Sequence, residues 1–206
     1  MTRKATDIFS EWASIGRDEG MQKNHWNAVK NMFQTLIKKQ SKPFSFIDAG
    51  CGNGWVVRQV AEHPDCISVA GVDAAQQMIE KAKACDSKNY YVCADLERWS
   101  PNSSVDVVHS MEVVYYLNNP ARFFQNVYKL WLRKNGMLIV GLDFYLENKA
   151  SHSWPDDCGI SIMRLFSENE WVNIFANAGF GNVVSYRFGA KEDWEGTLII
   201  SGNKLA

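Results

Sequence analysis

The chain has 206 residues and a formal net charge of −1, from 22 lysines and arginines against 23 aspartates and glutamates. This length is typical of a single domain. The balanced charge provides no basic field for a nucleic-acid backbone, so we expect no nucleic-acid partner. The apolar runs have only the length of strands, so we expect no membrane association.

Five cysteines are scattered along the chain: Cys51, Cys66, Cys85, Cys93 and Cys158. Their number is odd and no pair has Cys-x-x-Cys spacing, which is typical of reduced thiols rather than a disulfide framework. The first residues, Met-Thr-Arg-Lys-Ala-Thr-Asp, contain no apolar stretch of the kind found in a signal peptide. We therefore expect a cytoplasmic protein.

The first forty residues predict a helical cap. A short helix is expected over roughly 6–13, followed by a loop that contains Gly16 and Gly20. Apolar residues then recur at three- and four-residue steps from Asn24 to Lys39, which predicts a second helix. The cap is assigned to residues 1–40.

From residue 44 onward, short apolar runs alternate with helical patterns. We expect strands over 44–49, 67–72, 90–93, 105–110 and 137–142, and helices over 54–62, 75–84 and 120–132. Asn119 followed by Pro120 is a typical start for the last of these helices. This alternation predicts right-handed crossovers and a parallel sheet covered on both faces, within one domain spanning 1–206.

Residues 143–165 interrupt the alternation with a long polar and aromatic stretch. Loops of this length inside a compact domain usually carry function, so we assign 143–165 as a substrate lid. A capping box of Ser167 and Glu170 predicts the next helix, which ends at Gly179. Two strand-like runs over 183–188 and 197–201 close the chain, and with no helix between them they must pair antiparallel.

A glycine-rich turn follows the first predicted strand, in the sequence Asp48-Ala49-Gly50-Cys51-Gly52-Asn53-Gly54-Trp55. The order strand, glycine turn, helix is typical of a nucleotide-type site at the carboxyl edge of a parallel sheet. Taken alone, the turn is equally compatible with a plain connection. A nicotinamide dehydrogenase would need glycine or alanine at position 55, and Trp55 argues against that class.

Acidic residues end three successive predicted strands. They are Asp48, Asp73 and Asp95, and they fall at the same edge of the sheet. Each one alone could be an ordinary strand-end or helix-cap carboxylate. Because all three meet at one edge, we expect them to form a ligand site.

With these motifs the chain resembles the class I S-adenosylmethionine-dependent methyltransferases of the small-molecule branch. The resemblance rests on Asp48 to Gly54, Val72-Asp73, Ala94-Asp95-Leu96 and Ser110-Met111-Glu112, and it extends from about residue 44 to the end. It implies an α/β fold: a three-layer, Rossmann-like, seven-stranded and mostly parallel sheet with an antiparallel last strand.

The resemblance also implies S-adenosyl-L-methionine as the cofactor. Asp48 would attract its α-ammonium, Asp73 would accept from both ribose hydroxyls, and Asp95 would accept from the adenine amine. The glycines would let the backbone approach the ligand, while Leu96 and Met78 enclose the adenine ring. The predicted cofactor-binding residues are Asp48, Gly50, Cys51, Gly52, Gly54, Asp73, Ala74, Met78, Asp95, Leu96 and Ser110.

Several acceptor classes lack their motifs. The segment after the fourth strand, which begins His109-Ser110-Met111-Glu112, has no proline, unlike enzymes that methylate base amines or glutamine amides. No proline precedes a cysteine, as a cytosine C5 enzyme would require. Asn118-Asn119 is a poor substitute for the acids of a catechol-type magnesium site, so we predict no metal.

The acceptor pocket should be formed outside the cofactor motifs, by the cap, the turn after the fourth strand and the lid. The predicted substrate-binding residues are Trp12, Arg17, His25, Tyr115, Tyr116, Asp143, Tyr145 and Trp154. Because methyl transfer mainly requires alignment, a base is optional; the candidates for a catalytic role are His152 and Glu112. His109, in a buried strand, is expected to be a core histidine.

The function predicted from the sequence is transfer of a methyl group to a small organic acceptor through an oxygen or nitrogen nucleophile. The protein is expected to act as a monomer or homodimer. Two alternatives remain open: a methyltransferase-like binding or partner subunit without turnover, and a protein or RNA methyltransferase.

Overall fold

The structure is a computed structural model and describes residues 2–39 and 43–205. Residues 1 and 40 of the predicted cap, and residue 206 of the predicted domain, lie outside this part. The described strands are β1 (Phe44–Ala49), β2 (Cys66–Asp73), β3 (Tyr90–Cys93), β4 (Val105–Met111), β5 (Leu132–Leu142), β6 (Gly181–Phe188) and β7 (Thr197–Asn203).

Helices connect most of these strands. They are α1 (Ala5–Ile15), α2 (Gly20–Lys39), α3 (Trp55–Ala61), α4 (Gln76–Cys85), α5 (Pro120–Asn126), α6 (Trp154–Cys158) and α7 (Glu168–Asn177). Short 3₁₀ turns lie at Arg17–Glu19, Val114–Tyr116 and Lys149–Ser151. Within the described ranges, no helix is both long and apolar enough to cross a bilayer.

The strands of the described chain form one seven-stranded sheet in the order β3-β2-β1-β4-β5-β7-β6. The pairings from β3 through β5 are parallel, while β7 pairs antiparallel with both β5 and β6. This topology confirms the predicted mostly parallel sheet with an antiparallel last strand. It also places the carboxyl ends of β1, β2, β3, β4 and β5 at one edge.

Helices cover both faces of the sheet and give three layers. On one face, Trp131, Phe175 and the fully buried Trp171 pack with α5 and α7 against the sheet. On the other face, Met32 and Leu36 of α2 pack beside α3 against β1 and β4. Because strand β1 is buried along its whole length, its apolar residues contribute to both layers.

Two predicted helix starts are confirmed by their caps. The Asn119 side chain accepts a hydrogen bond from the Arg122 N–H at 3.0 Å, with Pro120 in the first turn. Ser167 and Glu170 form a reciprocal capping box at the start of α7. These side chains satisfy backbone N–H groups that a helix leaves without an internal partner.

The predicted helix over 120–132 is wrong at its end. The α-helical part, α5, ends at Asn126, and a single π-helical turn follows over Val127–Trp131. β5 then begins at Leu132 rather than at Met137. Asn135 has a φ of 63°, so the Asn-Gly pair forms an irregularity inside the strand instead of ending the helix. The Asn135 N–H donates to the Lys204 carbonyl at 2.7 Å, which holds this bend against the chain end.

The N-terminal helices are longer than predicted, and the lid is more ordered. α1 covers 5–15, and α2 begins at Gly20 rather than Asn24. The predicted lid 143–165 contains α6 and a 3₁₀ turn, although it was predicted as a loop. Trp154 and Pro155 open α6 and Gly159 ends it with a φ of 64°, which is a typical glycine C-cap.

Candidate functional site

A cavity of about 980 Å³ extends along the carboxyl edge of the sheet, from the end of β3 to the end of β5 and the start of β7. Its floor is formed by strand ends and its roof by α1, α2 and the lid. Among the predicted site residues, it is lined by Asp48, Gly50, Cys51, Gly52, Asp73, Ala74, Met78, Asp95, Leu96, Glu112, Tyr115, Tyr116, Trp12, His25, Asp143 and Trp154. The structure therefore brings most of the predicted site together.

Asp73 organises the glycine turn. One of its carboxylate oxygens accepts the Gly52 N–H at 2.9 Å, and the other accepts the Ala75 N–H at 2.8 Å. Burial raises the pKa of Asp73, and these two backbone hydrogen bonds oppose the shift. Because a carboxylate has about four acceptor positions, Asp73 can also accept hydrogen bonds from a ligand in the cavity.

The three glycines of the turn have different roles. Gly52, at a φ of 52°, lines the cavity, and a Cβ there would lie 3.4 Å from Met21 Cε and 3.9 Å from Met78 Sδ. A Cβ on Gly54 would lie 2.6 Å from Tyr91 Cε1, and Gly54 does not line the cavity. The predicted ligand contact of Gly54 is therefore corrected to close packing against Tyr91.

Asp48 lies in the cavity wall and is fixed from below by His109. The Asp48 Oδ1 and His109 Nδ1 atoms are 2.7 Å apart, and both side chains are buried. The His109 ring also stacks on Phe46. His109 is therefore a core histidine, as predicted, and it orients the Asp48 carboxylate.

The end of β3 forms the far wall of the cavity. Leu96 and Met78 are buried there, and the half-exposed Asp95 carboxylate accepts the Glu97 N–H at 2.9 Å. Ala74 lies beside them after β2. Two apolar side chains next to a carboxylate can enclose a flat heterocycle and accept from its amine.

Ser110 does not reach the cavity. Its side chain is fully buried, and its hydroxyl donates to the Ala49 carbonyl at 2.7 Å. The predicted contact between Ser110 and the cofactor is corrected to a link between β4 and β1.

A cluster of ionisable side chains forms the other end of the cavity. Glu112, after β4, accepts hydrogen bonds from the Tyr115 hydroxyl at 2.7 Å and from the Asp143 N–H. The Tyr115 and Tyr116 hydroxyls are 3.4 Å apart, and both rings line the cavity. His25 Nδ1 of α2 lies 3.8 Å from Asp143 Oδ2.

Burial dominates the electrostatics of this cluster. It raises the pKa of Glu112 well above the ordinary value, and the neighbouring Asp143 charge raises it further. The pKa of Asp143 is also raised by burial, which Thr197 and His25 partly oppose. The pKa of His25 is lowered by burial despite the nearby Asp143. Burial in this cluster therefore favours the uncharged forms of Glu112, Asp143 and His25.

Glu112 has an unusual backbone conformation. Its φ of 59° lies in the left-handed region, which is uncommon for a residue with a side chain. Such conformations store strain and cluster at functional sites. The hydrogen bonds from Asp143 and Tyr115 hold Glu112 in place.

The cap and the lid meet over the cavity. The Arg3 N–H donates to the Gly159 carbonyl at 2.8 Å, and the Ser161 N–H donates to the Arg3 carbonyl at 2.8 Å. Trp12 of α1 and Trp154 of α6 line the cavity from above. The first residues of the described chain are therefore hydrogen-bonded to the lid across the cavity.

Besides Gly54 and Ser110, three more predicted residues lie away from the cavity. Arg17 is exposed, and its guanidinium lies over the Trp12 ring, 4.6 Å from the ring centroid. Tyr145 is fully buried, and its hydroxyl donates to the Gly196 carbonyl at 2.9 Å. The His152 Nε2 atom lies 3.0 Å from the Leu146 carbonyl, so the candidate base bonds within its own loop. These contacts correct the predicted roles of all three.

Sequence reasoning missed two residues that line the cavity and one that supports the glycine turn. Thr197 reaches the site because β7 inserts beside β5, and Met21 reaches it because α2 begins four residues earlier than predicted. Asp18 is fully buried and holds the glycine turn through the Asn53 amide at 2.8 Å. An early α2 start could have been found from the good helix formers after Gly20; the other two had no local signal.

Within the described part of the chain, no group of three histidine, cysteine, aspartate or glutamate side chains is arranged to hold a metal ion. The described cysteines are all free thiols.

A family model described as a methyltransferase domain matches residues 47–140. A malonyl-(acyl-carrier protein) O-methyltransferase from Paenibacillus sp. is 26% identical over 185 residues, covering 81% of this chain and 66% of that protein. A ubiquinone biosynthesis O-methyltransferase from Pelagibacter ubique is 31% identical over 121 residues, covering 55% of this chain and 48% of that protein. The chain thus spans about half to two thirds of their length.

Among solved structures, the chain is similar to a methyltransferase in complex with the Haloferax volcanii Trm112 methyltransferase activator. The TM-score is 0.83 at 24% identity, with 100% of both chains covered. This likeness concerns the fold. The domain match over residues 47–140 and the relatives make the chain similar to the S-adenosylmethionine-dependent methyltransferases, and the solved structure shows that it shares a methyltransferase fold.

Proposed function

We propose that this chain is an enzyme that binds S-adenosylmethionine and transfers its methyl group to a small organic acceptor through an oxygen or nitrogen nucleophile. The observation that carries this proposal is the single cavity with two chemically different ends. The glycine turn and the strand-end acids form one end, and a cluster of aromatic and ionisable side chains forms the other.

The first end fits the donor. Asp48 would hold the α-ammonium, Asp73 the ribose hydroxyls and Asp95 the adenine amine, with Met78 and Leu96 against the ring. The free space beside Gly52 supports this fit, because a Cβ would occupy it without meeting the backbone.

When bound, the donor supplies a methyl group on a sulfonium, whose carbon–sulfur electron pair stays on sulfur as the acceptor lone pair forms the new bond to carbon. The chain's own residues align the two ligands and exclude water. The backbone hydrogen bonds that join Arg3 to Gly159 and Ser161 would hold the roof closed during the transfer.

The binding assignment can be tested with S-adenosylhomocysteine and two glycine variants. Gly52→Ala and Gly189→Ala both place a Cβ at a positive φ, 52° and 75°, but only Gly52 lines the cavity and Gly189 has nothing within 4 Å. We expect both to lose about 1–2 kcal/mol of stability. Only Gly52→Ala should weaken binding by calorimetry, by about tenfold or more.

Equal affinities for the two variants and the unaltered chain would contradict the site. The acceptor class is then tested with a donor labelled in its methyl group and a pool of metabolites, peptides and RNA. Label should appear in small molecules. Label only in macromolecules would favour the protein or RNA alternative, and tight donor binding without transfer would favour a partner subunit.

A further inference from the structure

Glu112 and Asp143 leave the acceptor end of the cavity acidic. The charged and titratable side chains in its wall, apart from tyrosine and cysteine, are Asp48, Asp73, Asp95, Glu97, Glu112, Asp143, Lys4 and His25. The first three are assigned to the donor, and Glu97 accepts the N–H groups of Asn118 and Asn119. Lys4 is exposed at the start of α1. Glu112 and Asp143 therefore face the remaining space with only His25 as a neighbouring base.

Asp143 has an acceptor atom that is not used by the described residues. Its side chain is 8% exposed, and its Oδ1 atom is buried without a hydrogen-bond partner among them. Its Oδ2 atom lies 3.8 Å from the His25 ring nitrogen, which is longer than a hydrogen bond. A buried acceptor without a donor is costly, so a ligand that donates at this point is favoured.

Two buried carboxyl groups side by side also favour a ligand of positive charge. The Asp143 N–H donates to Glu112, so the two residues are in direct contact. Burial raises the pKa of both groups; the Asp143 charge raises the pKa of Glu112 further, while Thr197 and His25 partly oppose the shift at Asp143. An ammonium group between them would supply hydrogen-bond donors and favour the ionised forms of both groups, whereas a carboxylate acceptor would place another acidic group beside them.

Aromatic side chains line the same cavity. They are Tyr115, Tyr116, Trp12 and Trp154, and the Tyr115 and Tyr116 ring centroids are 4.3 Å apart. Aromatic faces attract cations and also pack against apolar groups. The acceptor end therefore suits a cationic head on a flat or apolar body.

From this geometry, and resting on the proposed function, we propose that the methyl acceptor is an arylalkylamine whose ammonium group binds Asp143 and Glu112, with His25 as its proton acceptor. The amine nitrogen must lose a proton before its lone pair can react. A ring nitrogen of His25 takes that proton, and the Asp143 carboxylate beside it stabilises the imidazolium. The methylated nitrogen then carries the positive charge, and the imidazolium returns its proton to solvent.

Burial prepares His25 for this role. It lowers the pKa of the imidazole, so the free site holds the neutral ring that can accept a proton. The His25 side chain is about a quarter exposed, which leaves a route for the proton to solvent. The Asp143 carboxylate links the two roles because it can contact both the ammonium and the ring.

The test measures binding by calorimetry in protein saturated with S-adenosylhomocysteine. Three probes of similar shape are compared: 2-phenylethylamine, 2-phenylethanol and 3-phenylpropionate. We expect the amine to bind at least about tenfold more tightly than the other two. Asp143→Asn should remove most of that preference and leave S-adenosylhomocysteine affinity unchanged, while Asp193→Asn, at an exposed aspartate between β6 and β7, should change neither.

His25→Gln separates proton acceptance from binding. The amine should bind with similar affinity, while the rate of label transfer to it at saturation should fall by about a hundredfold or more. A merely structural role would weaken amine binding together with the rate.

Failure of the two proposals can be distinguished. If the unaltered chain does not bind S-adenosylhomocysteine, the proposed function fails. If it binds, but the alcohol or the carboxylate binds as tightly as the amine, only the amine assignment is overturned. Retention of the amine preference in a folded Asp143→Asn variant would overturn it as well.

Discussion

Glu112 combines an uncommon backbone conformation with an enclosed carboxyl group at one position. Its φ is 59°, and both carboxyl oxygens accept hydrogen bonds from within the site. β4 ends at Met111, and beyond it the Glu112 N–H donates to the Gly141 carbonyl of β5 at 2.9 Å. We therefore interpret the backbone strain at Glu112 as a cost in stability that is tolerated because the residue contributes to ligand binding.

Replacing Glu112 should change how stability depends on pH. Since its pKa in the fold lies well above the ordinary 4.5, the folded chain keeps this proton where the unfolded chain has lost it. Stability is then fully present below 4.5 and is lost as the pH rises toward the folded pKa. In Glu112→Gln, the thermal midpoint should therefore fall less as the pH rises above 4.5.

Glu192→Gln, at an exposed position, is the matched control and should follow the unaltered chain. An unchanged slope in Glu112→Gln would show that its carboxyl group titrates normally in the fold. Methyl transfer should fall in the same variant, because an acceptor contact is weakened.

The strand-end acids could be predicted from sequence, while the acceptor residues could be predicted only in part. Asp48, Asp73 and Asp95 follow from strand order alone, because parallel strands end at one edge. Tyr145 and His152 could not be placed, since their partners, Gly196 and the Leu146 carbonyl, depend on how an irregular segment folds back. Asp143 was found, but its contact with Glu112 requires two distant strands to be in register.

At the scale of elements, the N-terminal segment is fastened at both ends. Its 3₁₀ turn carries Asp18, which accepts hydrogen bonds from Asn53 of the glycine turn and Lys81 of α4, each at 2.8 Å. At the other end, Arg3 pairs with the lid. The segment between these two points, which includes α1, forms part of the cavity roof.

Loss of the Asp18 contacts should weaken both the fold and ligand binding. In Asp18→Asn the buried carboxylate that holds Asn53 and Lys81 is lost, so we expect about 1–3 kcal/mol less stability by urea unfolding. The affinity for S-adenosylhomocysteine should fall too, because the glycine turn loses a support. Glu19→Gln is the control, since Glu19 is 75% exposed and lies 3.6 Å from the same lysine.

The Glu19→Gln control should change the free energy of unfolding by no more than about 0.5 kcal/mol, because exposed ion pairs contribute little to stability. If Asp18→Asn behaved like Glu19→Gln, the buried contact would not fasten the segment.

The element pattern was predicted well where periodicity is strong and less well where backbone geometry decides. The alternation of strands and helices from 44 to 142 follows from apolar spacing. The early start of β5 does not, because Asn135 takes a left-handed conformation that lets the strand continue past an apparent helix stop. The same limit applies to α6, a five-residue helix inside a segment rich in turn formers.

On the scale of the whole molecule, the sheet fixes the donor end, while the turn after β4, the cap and the lid form the acceptor end. The parallel strands β1 to β4 supply the floor, whose residues are tied by the sheet hydrogen bonds. The α1 part of the roof is held by a small apolar cluster, in which Phe9 and Ala13 pack against Met78, and by the hydrogen bonds of Arg3 and Asp18. Opening of the roof should therefore require much less free energy than unfolding of the sheet.

Ligand binding should consequently protect the two halves of the roof together. With S-adenosylhomocysteine at a hundred times its dissociation constant, linkage gives about 2.7 kcal/mol of added stability. Hydrogen exchange should slow in 5–19 and in 154–162 alike, because Arg3 joins them through Gly159 and Ser161. The loop at 62–65, on the opposite side of the sheet from the carboxyl edge, should gain protection only through global stabilisation. If exchange slowed in only one half of the roof, the cap and the lid would move independently. The backbone hydrogen bonds of Arg3 would then have no part in closing the site.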